Sequence, residues 1–186
     1  DSPLGTAGAV KNAEKYLEDL FLVFNGDVFT DIDLGVMLSL HHERKAKATI
    51  ALTSVENPTV YGVVETDPQG RVKRFIEKPS WEEVTTNLIN AGIYILDREV
   101  LQDIPPHTPF MFEHHLFPRL LEKGAPIYSY PSDAYWIDMG TPEKYLQLHH
   151  DLLQGKSTSA FRHQKKRKVA QGSIHPTAKI EGAVVI

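Results

Sequence analysis

The sequence predicts an α/β fold with a mixed, mainly parallel sheet, followed by the start of a β-helix, and three observations carry that expectation. Leu20 to Phe24 is a short unbroken apolar run of the kind that fills a strand buried on both faces. Strand-like runs then alternate with helical stretches along most of the chain, as in sheets whose strands are joined by helical crossovers. Near the C-terminus Ile174, Ile180 and Ile186 recur every six residues with Ala178 and Ala183 between them, the period of a hexapeptide β-helix.

Taken in order, Ala9 to Asp19 mixes helix formers with charges and leads into the Leu20 to Phe24 strand, which Asn25-Gly26-Asp27 breaks. Asp33 stands where an N-cap belongs, before a helix over Leu34 to Lys45 with Val36, Met37 and Leu40 as its apolar face and a basic end that suits a helix C-terminus. Ala48 to Val55 is the next strand. Gly62 to Thr66 and Val72 to Ile76 form a hairpin around Asp67-Pro68-Gln69-Gly70, and Pro79 ends its second arm. Leu88 to Leu96 reads as a buried strand interrupted at Gly92, and Met111 to Lys123 as a helix with Phe112, Leu116, Leu120 and Leu121 inside. Ile127 to Tyr130 and Tyr135 to Met139 are short strands. Thr141 then caps a helix that has Pro142 at its first position and runs through Leu153.

The character changes after residue 154. Residues 155–172 hold Lys156-Ser157-Thr158-Ser159 and the basic run Arg162 to Lys168 with little apolar content, and read as a solvated linker. Residues 173–186 are the β-helix start, too short to be stable alone, so more chain is expected beyond Ile186. Residues 1–154 form the main domain, and its opening on Asp1-Ser2-Pro3 reads as an entry partway into a domain.

Composition narrows the function classes. With 41% hydrophobic and 24% charged residues and a formal charge of −4, the chain has an ordinary globular balance and no global attraction to nucleic acid or anionic membrane. The absence of cysteine removes disulfides, thiolate zinc sites and cysteine nucleophiles, and fits a cytoplasmic location. No apolar run approaches the ~20 residues of a membrane span. The pairs His41-His42, His114-His115 and His149-His150 read as solvated, because neighbours on a helix point about 100° apart and do not converge on a metal. Arg162 to Lys168 lacks the interleaved aromatics of a nucleic-acid binder, and Trp136 and Phe75 read as core or cleft wall.

Four segments can carry chemistry. Asp27 follows a strand at its carboxyl end, where ligands of open α/β sheets collect, although an Asx turn would use the same residue. Asp138 arrives on a strand just before a glycine and a helix N-terminus, as a ligand or as a turn residue. Two such carboxylates match the count that magnesium takes from protein, the rest of its shell going to phosphate and water. Glu77 and Lys78 leave the hairpin together, either toward a cleft or as an exposed strand end. Asn90 is an amide in an apolar strand and must find a hydrogen-bond partner, either backbone or ligand.

In their joint order Leu4-Gly5-Thr6-Ala7-Gly8, Phe24-Asn25-Gly26-Asp27, Tyr61-Gly62-Val63, Phe75-Ile76-Glu77-Lys78-Pro79, Asn90-Ala91-Gly92 and Trp136-Ile137-Asp138-Met139-Gly140-Thr141-Pro142 resemble the sugar-1-phosphate nucleotidyltransferases. With the hexapeptide start, the chain is similar to the mannose-1-phosphate guanylyltransferase and glucose-1-phosphate thymidylyltransferase branch that carries a left-handed β-helix. The resemblance implies a Rossmann-like domain that makes a nucleotide sugar of the GDP-mannose or dTDP/UDP-glucose type, releasing pyrophosphate. It implies Mg²⁺ on Asp27 and Asp138, Gly5 against the nucleobase, and Glu77 and Asn90 on sugar hydroxyls. Lys78 would contact the sugar phosphate, and the Gly62 backbone would approach the sugar. The family's glycine-rich loop, with the arginine and lysine that cradle the triphosphate, has no counterpart in these residues, so the chain alone is expected to be inactive or nearly so. The implied partners are a nucleoside triphosphate and a sugar-1-phosphate, with homo-oligomerisation left open and neither nucleic acid nor membrane involved. The alternatives are a non-catalytic regulatory homologue that senses a nucleotide sugar, and an assembly scaffold.

Overall fold

The computed structural model describes residues 2–157 and Thr177; apart from Thr177 the expected β-helix start at 173–186, and most of the 155–172 linker with its basic run, lie outside the described residues. In the described part, eight strands and four α-helices alternate much as the apolar periodicity predicts: α1 (Gly5–Asn12), β1 (Leu20–Phe24), β2 (Val28–Thr30), α2 (Leu34–Glu43), β3 (Ala48–Ser54), β4 (Gly62–Thr66), β5 (Val72–Glu77), β6 (Leu88–Asp97), α3 (Phe117–Glu122), β7 (Ile127–Pro131), β8 (Trp136–Asp138) and α4 (Pro142–Leu153). No helix among the described residues is long and apolar enough to cross a membrane.

Six strands form a mixed sheet in the order β5-β4-β6-β3-β7, with β1 also on β6, while β2 and β8 form a separate ribbon. The sheet is mixed as expected, but its balance differs, because β3 and β7 are the one parallel pair among the described strands and the other ladders are antiparallel. The reason is β6. Apart from Asn90 and Asp97 its ten residues are apolar or aromatic and mostly buried, so it can sit at the centre of the sheet, with β3 along one edge. The other edge is shared, β4 meeting its first half at Ile89 and β1 its second half from Ile93 to Asp97, both antiparallel.

Period-2 alternation sorts the core into two layers. Ala48, Ile50, Leu52, Tyr94 and Leu96 pack with Phe112, Leu116 and Phe117 on one face of the sheet, while Ala51, Ile93 and Ile95 pack with Ile32 and Met37 on the other. Asp33 caps α2 as expected, accepting from the Gly35 and Val36 amides at 2.9 and 3.0 Å. The buried face of α2 is Met37 and His41, one turn apart, and Val36 points to solvent. The expected single helix from Met111 is two elements, a π-helix (Phe112–Leu116) running into α3. Pro118 cannot donate to the carbonyl four residues back and its ring crowds that carbonyl, which fits the widening of the turn before it.

His41 corrects the solvated reading of the histidine pairs: it is 2% exposed, with Nδ1 2.8 Å from Thr49 Oγ1 and Nε2 3.3 Å from Asp97 Oδ1. Burial lowers its pKa, against the pull of Asp97. Because the unfolded chain then binds a proton that the folded ring resists, stability should fall as the pH drops below about 6.5. Urea midpoints between pH 5 and 7.5 should show this slope, and it should flatten in His41→Gln.

Candidate functional site

The two strands that share one edge of β6 part at residues 90–92, and the candidate residues gather around that parting. Four steps of β6, from Asn90 to Tyr94, oppose two steps of β3, from Leu52 to Ile50, and the bulge takes Gly92 to a φ of +75°. Carbonyls released from the ladder find other donors. The Ala91 oxygen accepts from the Trp136 indole at 2.9 Å, and the Gly92 oxygen accepts from the Asn25 amide at 2.9 Å. A side chain at residue 92 would have its Cβ 2.6 Å from Asn25 Nδ2, so the absence of one lets the loop after β1 lie against β6.

That loop delivers Asp27 to the β2–β8 ribbon. Val28 pairs with Asp138, and the Asp27 carbonyl accepts from the Met139 amide at 2.7 Å, so both aspartates sit at one end of the ribbon. The Asp27 side chain is exposed and has no hydrogen-bond partner among the described residues. Asp138 is engaged on both oxygens: Oδ1 accepts from the Gly140 amide at 2.8 Å and Oδ2 lies 3.2 Å from the Lys144 ammonium. Lys144 also donates to the Tyr61 hydroxyl at 2.9 Å. Burial works to lower the Lys144 pKa, but Tyr61 and Asp138 outweigh it and hold it above its ordinary value. Two carboxylates at one ribbon end, one of them already balanced by a cation, are a donor set that fits a divalent ion; no cluster of three metal-binding side chains occurs among the described residues.

Tyr61 connects this end to the hairpin. Its carbonyl accepts from the Lys78 amide at 3.0 Å, and Lys78 itself has a φ of +46°. Gly62 pairs with Glu77 in the β4–β5 ladder, and a Cβ at Gly62 would lie 2.8 Å from Glu77 Oε2, so the glycine makes room for that carboxylate. Val63 pairs with Ile89, which sets the hairpin beside Asn90.

Asn90 does find partners inside the protein. Its Nδ2 donates to the Tyr94 hydroxyl at 2.8 Å and to Glu113 Oε1 at 2.9 Å, and its Oδ1 accepts from the Gly92 amide at 3.0 Å. Tyr94 donates in turn to Glu113 Oε1 at 2.9 Å. Burial pushes the Tyr94 hydroxyl far above its usual pKa, with the charges of Glu113 and Glu77 adding to the shift, so it remains a donor. Glu113 rides on the π-helix, whose first turn holds α1: the Phe112 amide donates to Thr6 Oγ1 at 3.1 Å, and a Cβ on Gly5 would meet the Phe110 carbonyl at 2.7 Å.

All seven residues singled out in the sequence, Gly5, Asp27, Gly62, Glu77, Lys78, Asn90 and Asp138, therefore lie along one connected set of contacts. Reasoning from sequence missed Lys144, Glu113 and Tyr94. The position of Lys144, three residues after the Thr141 cap, is a signal that could have found it, since the cap accepts from the Lys144 amide and fixes that first turn. Glu113 carries no comparable signal. Trp136 is half-buried and, with Tyr61, Asp138 and Lys144, walls a groove of about 510 Å³ beyond the ends of β3 and β7, in keeping with a cleft wall.

The chain is similar to known proteins in sequence and in fold. A family model described as nucleotidyl transferase matches residues 1–155. The chain is 39% identical over 191 aligned residues to a mannose-1-phosphate guanylyltransferase of Mycobacterium tuberculosis, covering 100% of this chain and 53% of that protein. It is also 39% identical over 155 residues to a UTP–glucose-1-phosphate uridylyltransferase of Synechocystis, covering 81% and 40%. Among solved structures, HddC from Yersinia pseudotuberculosis in complex with GMP-PN aligns with a TM-score of 0.68 at 31% identity, over 82% of this chain and 64% of that one. The chain spans about half the length of the curated relatives it matches.

Proposed function

Because the chain belongs to the nucleotidyl transferase family, we propose that it carries the metal and sugar-phosphate side of a site that joins a nucleoside triphosphate to a sugar-1-phosphate. In that reaction a sugar-1-phosphate oxygen forms the new bond to the α-phosphorus, the α–β bridging bond breaks, and pyrophosphate leaves. The observation that carries the reading is the continuous path of contacts from Glu77 and Gly62 through Tyr61 and Lys144 to Asp138 and Asp27. It supports the reading by joining Glu77, which would accept from sugar hydroxyls, to the two carboxylates that would hold the ion.

Within this reading Asp27 and Asp138 hold Mg²⁺, which supplies positive charge against the phosphate oxygens. Glu77 and Asn90 hold the sugar hydroxyls, the Gly62 backbone approaches the ring, Lys78 contacts the sugar phosphate, and Gly5 lies beside the base. The relatives' names favour GDP-mannose, with UDP-glucose next. No glycine-rich loop with its arginine and lysine occurs among these 186 residues, so the chain by itself is expected to bind the product and to turn over poorly.

The test is ligand protection. GDP-mannose or UDP-glucose at about a hundred times its Kd should raise stability by about 2.7 kcal/mol, seen as a higher melting midpoint, and only with magnesium present. An unmoved midpoint with either nucleotide sugar defeats the reading. Rapid pyrophosphate release from labelled GTP and mannose-1-phosphate would defeat the expectation of poor turnover.

A further inference from the structure

We infer that Glu113 is a further sugar-binding residue of this site, a hydroxyl acceptor that selects among sugar-1-phosphates; the inference rests on the function proposed above. It follows from counting donors and acceptors around Asn90. An Asn side chain offers two amide hydrogens and two oxygen lone pairs. Both hydrogens of Asn90 are spent, one on Tyr94 and one on Glu113 Oε1, and one lone pair of Oδ1 is taken by the Gly92 amide. Asn90 therefore has one acceptor left for a ligand and no donor.

Glu113 repeats this bias. Its Oε1 receives both Asn90 and Tyr94, while its Oε2 has no partner among the described residues on a side chain that is only half-buried. Glu77, whose charge reaches the Tyr94 hydroxyl, brings a second carboxylate to the same neighbourhood. The hydrogen-bonding capacity that Asn90, Glu113 and Glu77 leave unused among the described residues is thus acceptor capacity alone. A ligand there must bring donors, and neighbouring hydroxyls of a hexose are donors. A phosphate oxygen or an acetamido carbonyl is repelled or left unpaired.

The Tyr94 bond gives Glu113 its aim. Tyr94 is wholly buried and its ring packs against Phe112 and Phe117 at centroid separations of 4.9 and 5.3 Å, so its hydroxyl is a fixed donor rather than a mobile one. Both known hydrogen bonds of Glu113 converge on Oε1, which leaves Oε2 as the oxygen available to a ligand.

The experiment is calorimetric titration of the 186-residue chain, in magnesium, with mannose-1-phosphate, glucose-1-phosphate and their deoxy analogues at each ring hydroxyl. In Glu113→Gln the new carbonyl can keep both bonds at the Oε1 position, whereas Oε2 becomes an amide donor. Affinity for the parent sugar phosphate should fall about tenfold to a hundredfold, as expected for losing a hydrogen bond to a charged acceptor. The analogue lacking one particular hydroxyl, which binds poorly to the parent chain, should bind the parent chain and the variant equally. Glu113→Asp keeps the charge and should lie between the two, with melting midpoints reporting that each variant is folded. A Glu113→Gln chain that binds every sugar phosphate as the parent does would overturn the inference and leave Glu113 as a brace for Asn90. Failure of the unaltered chain to bind any sugar phosphate or nucleotide sugar would instead overturn the proposed function, and this inference with it.

Discussion

Asp27→Asn is expected to abolish the magnesium-dependent protection of the chain by a nucleotide sugar while leaving its own melting midpoint within about 2 °C of the parent's. The first half follows from charge. With two carboxylates at the ribbon end, asparagine removes half of the negative charge available to the ion, and Asp138 already shares its Oδ2 with Lys144. Even outer-shell partners of metal ligands are worth about 10–100-fold in metal affinity, so a direct ligand should cost about 100-fold or more. The second half follows from the surroundings of Asp27, whose side chain is exposed and has no hydrogen-bond partner among the described residues. A Mn²⁺ titration followed by the spectrum of the free ion measures the loss without any need for turnover. Divalent affinity unchanged in the variant would remove Asp27 from the site.

Gly92→Ala should have the largest effect on the fold. Alanine at a φ of +75° costs about 1–2 kcal/mol in backbone energy alone. The added Cβ would also lie 2.6 Å from Asn25 Nδ2 and 2.9 Å from its Cγ, and the Asn25 backbone is itself tied to the Gly92 carbonyl. A total of about 2–4 kcal/mol is expected, a drop of roughly 5–10 °C in melting midpoint. Because the displaced loop leads to Asp27, divalent affinity should fall in the same variant. Gly26→Ala is the control, since a Cβ there meets nothing within 4 Å and should be nearly neutral. Equal midpoints for the two alanine variants would contradict this account of how the loop is held.

Features written in local chemistry were legible in the sequence. The Asp67 turn forms through hydrogen bonds from its own neighbours, Gln69 and Arg71, and the Asp33 and Thr141 caps work within three residues of themselves. Features that depend on distant partners were not. Leu20 to Phe24 is equally apolar whether its neighbour runs parallel or antiparallel, so the run identified a strand without its pairing. His41 reads as solvated from sequence because its burial depends on Thr49 and on Asp97, 56 residues away. In the site, the two aspartates and the Glu77–Lys78 pair follow recognisable breaks in strands. Lys144 matters through Tyr61, 83 residues away, and Glu113 through Asn90 and Tyr94 across a π-helical turn.

Lys78 shows where this chain departs from what stability alone would favour. Its left-handed backbone is tied to the Tyr61 carbonyl, in a conformation that costs a residue with a side chain on the order of 1–3 kcal/mol and costs glycine almost nothing. A sequence under selection only for thermal robustness would carry glycine at this corner of the hairpin. Under the proposed function, keeping a long cationic side chain there trades part of the chain's margin against unfolding for the position of one ammonium group. Engineering for heat tolerance would therefore be drawn to residue 78 as an easy gain, and under the proposed function would remove the group that contacts the sugar phosphate in taking it.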